Sequence, residues 1–193
     1  MATVLYLIRH GETDWNRERR IQGHSDVHLN ASGKEQAEKL AGFLGRERFH
    51  KIYSSDLKRA YDTAYLLSQA TGSQLEASLR LRERSYGELE GLSYEEVRAR
   101  MEAVGDREEA LGIESAAEIS QRAYDALSEL VQHHPGETIA VISHGGFINS
   151  FLHRISAGTI GTGITRLDNT SITQLTYESE RWEIIGVNYT PHL

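Results

Sequence analysis

The sequence predicts an α/β layer fold with a mostly parallel sheet and one antiparallel edge. Three observations carry that prediction. Short unbroken apolar runs at residues 4–8 and 138–143 (TIAVIS) are too short for helices and do not alternate, as expected of strands buried on both faces. Longer segments between them place apolar residues at i, i+3, i+4 and i+7, the stripe of a helix packed on a sheet. Near the end, residues 171–177 and 182–187 read as two strands joined by the polar turn Glu178-Ser179-Glu180-Arg181, a hairpin that supplies the antiparallel pair.

In chain order, the run at 4–8 is the first strand. Asn30 can cap a helix reaching about Leu44, with Ala37, Leu40, Ala41 and Leu44 on one face. Residues 51–54 form a second short strand, and Ser54 or Ser55 caps a helix through about Ala70 that Gly72 closes. Ser93 with Glu96, and Ser115 with Glu118, are capping boxes that open helices over 94–104 and 116–132. The second of these carries Ile119, Ala123, Leu127 and Leu130 as its apolar stripe. Pro135-Gly136 turns the chain into the strand at 138–143, which His144-Gly145-Gly146 and the apolar helix FINSFLHRI follow. No repeat, low-complexity tract or linker interrupts this, so residues 1–193 are expected to form one domain.

Composition limits the function. A chain of 193 residues with 39% hydrophobic and 25% charged residues is globular in composition, and at that length about 70% of the unfolded surface is buried. The net charge of −7 gives no overall positive field to draw nucleic acid or an anionic membrane, so any anion site must be local. With no cysteine there is no disulfide framework, thiolate nucleophile or cysteine-ligated zinc. No basic leader precedes the first apolar run and no run is long enough to span a bilayer, so the expectation is a soluble cytoplasmic protein.

Ligands of open α/β sheets collect at the carboxyl ends of the strands. Arg9-His10-Gly11 and His144-Gly145-Gly146 both stand at such ends, and Arg59 lies in the first helical turn after the second strand. If the strands are neighbours, two histidines and an arginine converge, with glycines allowing close backbone approach. Each feature alone also suits a structural role. His24 and His28 have the spacing of metal ligands on a helix, but Gly23, Ser25, Asp26 and Asn30 make the stretch a loop with no acidic partner, so no metal is expected there. His133-His134 most simply complements a helix dipole. GTIGTG at 158–163 lacks the preceding strand of a dinucleotide fingerprint and reads as a flexible turn.

Taken together, LIRHGETDWN (7–16), RIQG (20–23), LNASG (29–33), SSDLKRA (54–60), LRE (81–83) followed by Gly87 and Glu90-Gly91, and SHGG (143–146) resemble the successive signatures of the histidine phosphatase superfamily. The resemblance spans about residues 4–150 and is to the phosphoglycerate mutase-like branch, within it most to the bacterial broad-specificity phosphatases. It implies a three-layer α/β/α sandwich with a small helical cap inserted after Glu83, at about 84–118.

The same resemblance implies the roles. His10 is the nucleophile that becomes phosphohistidine, its other ring nitrogen donating a proton to a backbone carbonyl. Arg9 and Arg59 bracket the phosphoryl group, which suits planar bidentate donors. His144 is a second histidine, expected to be protonated and to stabilise the transition state. Glu83 is the proton donor; on the residues alone a surface ion pair with Arg82 or Arg84 is the favoured reading. Asn16 and Gln22 match phosphate-binding positions, with Gly23 and Gly145 beside them, although Asn16 is also a good helix or turn cap. No metal and no other cofactor is required. Tyr86, Tyr94 and Arg98 are the candidates to line the cap.

The implied activity is hydrolysis of small phosphate monoesters. A phosphoglycerate mutase would use the same pocket, and a non-catalytic phospholigand-binding module would keep it without turnover. Residues 84–143 must supply both a strand and the whole cap, and Gly112-Ile113 replaces the expected run of prolines and glycines before Glu114. A short cap leaves the phosphoenzyme open to water, which favours the phosphatase. The expected partner is a small-molecule phosphate ester, with neither nucleic acid nor membrane, on a monomer or a homodimer paired through a sheet edge.

Overall fold

A computed structural model describes residues 1–105 and 108–193. The apolar runs pair as the sequence pattern requires. β1 (Thr3–Arg9) lies inside a six-stranded sheet, parallel to β4 (Thr138–Ser143) with Leu7 opposite Val141 and Arg9 opposite Ser143. β2 (Lys51–Ser55) pairs in parallel on the far side of β4, and β3 (Leu75–Ser78) closes that edge. On the other side of β1 runs β5 (Ile172–Glu178), antiparallel, and then β6 (Arg181–Tyr189). The expected hairpin is therefore present, but its antiparallel member is one place in from the edge. β6 reverses again and ends up parallel to β1.

The helices are α1 (Asp14–Arg17), α2 (Ala31–Leu44), α3 (Lys58–Thr71), α4 (Tyr94–Val104), α5 (Ala116–Gln132) and α6 (Gly145–Ile155). They cover the sheet as two apolar layers. On one face Ile119, Leu127, Phe147 and Phe151 of α5 and α6 pack on Leu5, Leu7 and Val141. On the other, Leu40, Leu44, Ala60, Ala64 and Leu67 of α2 and α3 pack on Ile8, Ile52 and Ile142. Each large aliphatic or aromatic side chain so buried contributes about 1.5–3 kcal/mol. Among the described residues, no helix is long and apolar enough to cross a membrane.

Local chemistry sets most boundaries. Asn30 caps α2 by accepting from Gly33 N, and both predicted capping boxes close, Ser93 with Glu96 and Ser115 with Glu118. Three expectations are corrected. Neither Ser54 nor Ser55 caps α3: β2 continues to Ser55, Ser54 turns its hydroxyl to the Ser55 carbonyl, and α3 starts at Lys58, whose N–H donates to Asp26 Oδ1 at 2.7 Å. Leu130 is only partly buried, and Val131 completes the stripe of α5. His134 is bound into the fold rather than facing a helix end, with Tyr53 Oη at 2.8 Å and Glu137 Oε2 at 2.6 Å.

Between β3 and α5, where the cap is expected, lie 3₁₀ turns at Leu79–Leu81, Gly87–Leu89 and Glu108–Leu111 together with α4, which carries no buried residue. Residues 106 and 107 of that stretch are outside the described ones. At its far end α5 enters the core from Ile119 onward.

Candidate active site

The register that pairs Arg9 with Ser143 sets the next residues of both strands side by side. His10 N–H donates to the Ser143 carbonyl at 3.0 Å, and the His10 and His144 ring centroids are 5.1 Å apart. His10 Nδ1 lies 2.6 Å from the Gly11 carbonyl. A carbonyl only accepts, so Nδ1 carries the hydrogen and Nε2 keeps its lone pair. Burial, then Arg59 and Arg9, hold the His10 pKa well below the usual imidazole value, so the ring is neutral.

Gly11 packs closely on α2. A Cβ there would stand 2.5 Å from the Gly33 carbonyl, so its missing side chain lets the strand end pack against α2. Its N–H is held by Thr63 Oγ1 at 3.1 Å.

Arg59 is fully buried in the first turn of α3. Its Nη1 donates to the Ser25 carbonyl at 2.8 Å and its Nη2 to the Gly23 carbonyl at 2.7 Å. Burial lowers its pKa to about 10, against the pull of Glu83, Asp26 and Glu90, and it stays charged at neutral pH. Arg9 Nη1 donates to the Leu167 carbonyl at 2.5 Å, and burial lowers its pKa too, with Glu83 the strongest opposing charge. Four buried nitrogens here, Arg9 Nε, Arg59 Nε and both ring nitrogens of His144, have no hydrogen-bond partner among the described residues.

His144, expected to be protonated, is neutral in the ligand-free site. Burial, and then Arg59, His10 and Arg9, drive its pKa well down.

Glu83 caps α6 from outside. Its carboxylate accepts from Gly146 N at 2.9 Å, Phe147 N at 2.9 Å and Arg84 N at 2.8 Å. An anion at a helix N-terminus satisfies otherwise orphan donors and the dipole together. The surface-pair alternative fails, because Arg82 grips Asp56 at 2.8 and 2.6 Å and Arg84 Nε donates to the Glu114 carbonyl.

Asn16 is the turn cap read from the sequence, its Oδ1 accepting from Thr13 N at 3.1 Å in the capping box of α1, and it also lines the cavity. Gln22 Oε1 accepts from Thr13 Oγ1 at 3.0 Å. Asn16 and Gln22, with Arg9, His10, Gly23, Arg59, Glu83 and Gly145, line one cavity of about 290 Å³; His144 is not among its lining residues but packs its ring against that of His10. Tyr86 and Tyr94 line it as anticipated, whereas Arg98 is not among its lining residues.

Sequence reasoning missed Asn149, Thr165, Arg166 and Leu167, which also line the cavity. Asn149 had a signal, one helical turn after Gly145 on the same face of α6. Residues 165–167 had none, because they follow the GTIGTG turn in a loop without periodicity. His24, set aside as a loop residue, places Nε2 2.8 Å from the Glu83 carbonyl.

An electrophile suited to this cavity carries spread negative charge and accepts a neutral imidazole. A phosphoryl group meets both conditions, and with this fold the site defines an enzyme of phosphoryl transfer. The chain belongs to the histidine phosphatase superfamily (branch 1), whose family model matches residues 5–190. It is 37% identical over 191 residues to phosphoglycerate mutase-like protein 4 of Arabidopsis thaliana, covering 93% of this chain and 82% of that one. The metal-independent phosphoserine phosphatase of the same plant is 34% identical, over 100% of this chain and 84% of the relative. The solved mycobacterial glucosyl-3-phosphoglycerate phosphatase superposes with a TM-score of 0.83 at 31% identity, covering 96% of this chain and 98% of the other.

Proposed function

We propose that the protein hydrolyses small phosphate monoesters by transferring the phosphoryl group first to His10 and then to water. The observation that carries this reading is the set of buried unpaired nitrogens beside a neutral imidazole with a bare Nε2. The Nε2 lone pair attacks phosphorus as the ester P–O bond breaks. Glu83, a carboxylate on the α6 N-terminus in the structure, takes up a proton as the phosphate ester enters and gives it to the leaving oxygen; the carboxylate so restored then takes a proton from the water that attacks phosphohistidine. Inorganic phosphate leaves and His10 is restored.

Arg9 and Arg59 hold the phosphoryl oxygens through donors that the fold leaves unused. A bound dianion also supplies the charge that His144 lacks in the free site, so substrate entry favours its protonated form and a further donor to the oxygens. Charge neutralisation comes from the chain's own cations, and the reading calls for no metal. Tyr94 lines the cavity while 58% exposed, so the site meets bulk water, which supports hydrolysis over internal return of the phosphoryl group. The two relatives named as phosphatases support the same choice. A cysteine-free chain fits the reducing cytoplasm as its place of work.

The test is turnover of p-nitrophenyl phosphate in EDTA by the wild type and His10→Ala, with a chase for acid-labile, base-stable phosphoprotein. Turnover that survives EDTA, labels the wild type and vanishes in the variant is the expected result. Isomerisation of 3-phosphoglycerate without ester hydrolysis would establish a mutase instead, and tight binding of phosphate esters with neither turnover nor label a binding module.

A further inference from the structure

Glu83 has to meet a leaving oxygen with little error, yet it sits on an irregular segment between two 3₁₀ turns. Its own carboxylate bonds to α6 hold only the tip of the side chain. The backbone is held by Arg122, from the middle of α5. Arg122 Nη1 donates to the carbonyls of Arg80 at 3.0 Å and Arg82 at 2.7 Å, and Nη2 to the carbonyl of Glu83 itself at 3.1 Å. Nε and Nη2 grip Glu114 side-on, at 2.8 Å each.

A guanidinium has five N–H donors, and here each has an acceptor supplied by the chain. Arg122 therefore has no donor to offer a substrate. Glu114 extends the clamp, since its Oε2 accepts from Ser85 N at 3.1 Å and its carbonyl from Arg84 Nε at 2.7 Å. The Arg122 guanidinium carbon also lies 5.6 Å from the ring centre of Phe147, whose N–H holds Glu83 Oε1. From the loop side, His24 Nε2 reaches the same Glu83 carbonyl.

We infer that Arg122, braced by Glu114, is a positioning residue for proton transfer by Glu83, fixing the acid against the leaving oxygen without touching substrate. The inference rests on the hydrolytic reading above. It predicts a defect that depends on the leaving group. An alkoxide needs its proton at the moment the P–O bond breaks, whereas p-nitrophenolate leaves unaided. Lysine cannot replace Arg122, because three donors on one ammonium cannot span three carbonyls and a carboxylate.

The experiment compares kcat/KM, which reports phosphorylation of His10, for n-propyl phosphate and p-nitrophenyl phosphate in wild type, Arg122→Lys, Glu114→Gln and the reference Glu83→Gln. Arg122→Lys should lower kcat/KM for the alkyl ester about ten- to a hundredfold, the scale expected of a misplaced catalytic group, and change it little for the aryl ester. Glu114→Gln, which keeps the shape and one acceptor oxygen, should move the ratio in the same direction by less, and it decides the matter if Arg122→Lys fails to fold. Equal losses on both esters would overturn the inference and leave Arg122 a structural residue. A wild type that hydrolyses neither ester and labels no histidine would instead overturn the hydrolytic reading on which the inference stands.

Discussion

Arg59 shows how much one side chain can be asked to do. It is buried with its charge, spends two terminal nitrogens on the Gly23 and Ser25 carbonyls, and keeps Nε unpaired beside the imidazoles. A lysine there cannot hold both carbonyls and also reach a phosphoryl oxygen. Arg59→Lys should therefore lower kcat/KM on aryl phosphate by about a hundredfold, read by steady-state kinetics on protein that still unfolds cooperatively. His10, Arg9 and His144 were legible from sequence because a strand end followed by glycine restricts where such residues can point. The lowered pKa of His144 was not, since it depends first on burial and then on charges brought in from other parts of the fold, Arg59 foremost. Gly11 was legible as a close approach, but its neighbour is the α2 backbone rather than a ligand.

Among the elements, α6 couples His144 to Glu83. His144 is its N-cap, and its first free N–H groups hold Glu83. A Cβ on Gly146 would fall 2.4 Å from Glu83 Oε1. Gly146→Ala should thus displace the carboxylate and reduce turnover of alkyl phosphates about tenfold or more. Little change in melting temperature is expected, because alanine favours the helix; kinetics and thermal unfolding of the same preparation check both halves. The capping boxes of α4 and α5 were readable because their chemistry is local, a serine and a glutamate three residues apart. β3 was not: its residues 75–78 have no buried position and pair only at the sheet edge. The start of α3 was misjudged for a similar reason, because its first donor is satisfied by Asp26 from a distant loop.

At the scale of the molecule, two buried neutral imidazoles make stability depend on pH. Their native pKa values lie well below 6.5, the unfolded value, so below that pH the unfolded chain binds more protons than the native one. Stability is then lost as pH falls below that range, by up to about 1.4 kcal/mol per pH unit for each imidazole, and above about pH 7.5 the effect vanishes. Urea unfolding at pH 7.5 and 5.5 should show the loss, and His144→Gln should remove part of it. Asp56, whose pKa the Arg82 hydrogen bond lowers, acts in the same direction but only as pH falls through the carboxylate range. The alternation of strands and helices was readable across the whole chain, whereas strand order was not, since no local pattern records which strands become neighbours.

That order has a consequence for the chain during its synthesis. β1 is made first, but its partners are β4 and β5, so that Val4 waits for Thr138 on one side and Thr176 on the other. Until both have left the ribosome, an apolar segment leading into His10 has unpaired edges, the kind of surface that aggregates or recruits chaperones. Pairings this distant in sequence also make folding slow. The later strands therefore complete the bed on which His10 rests, and a growing chain cannot assemble this site before β5 has emerged.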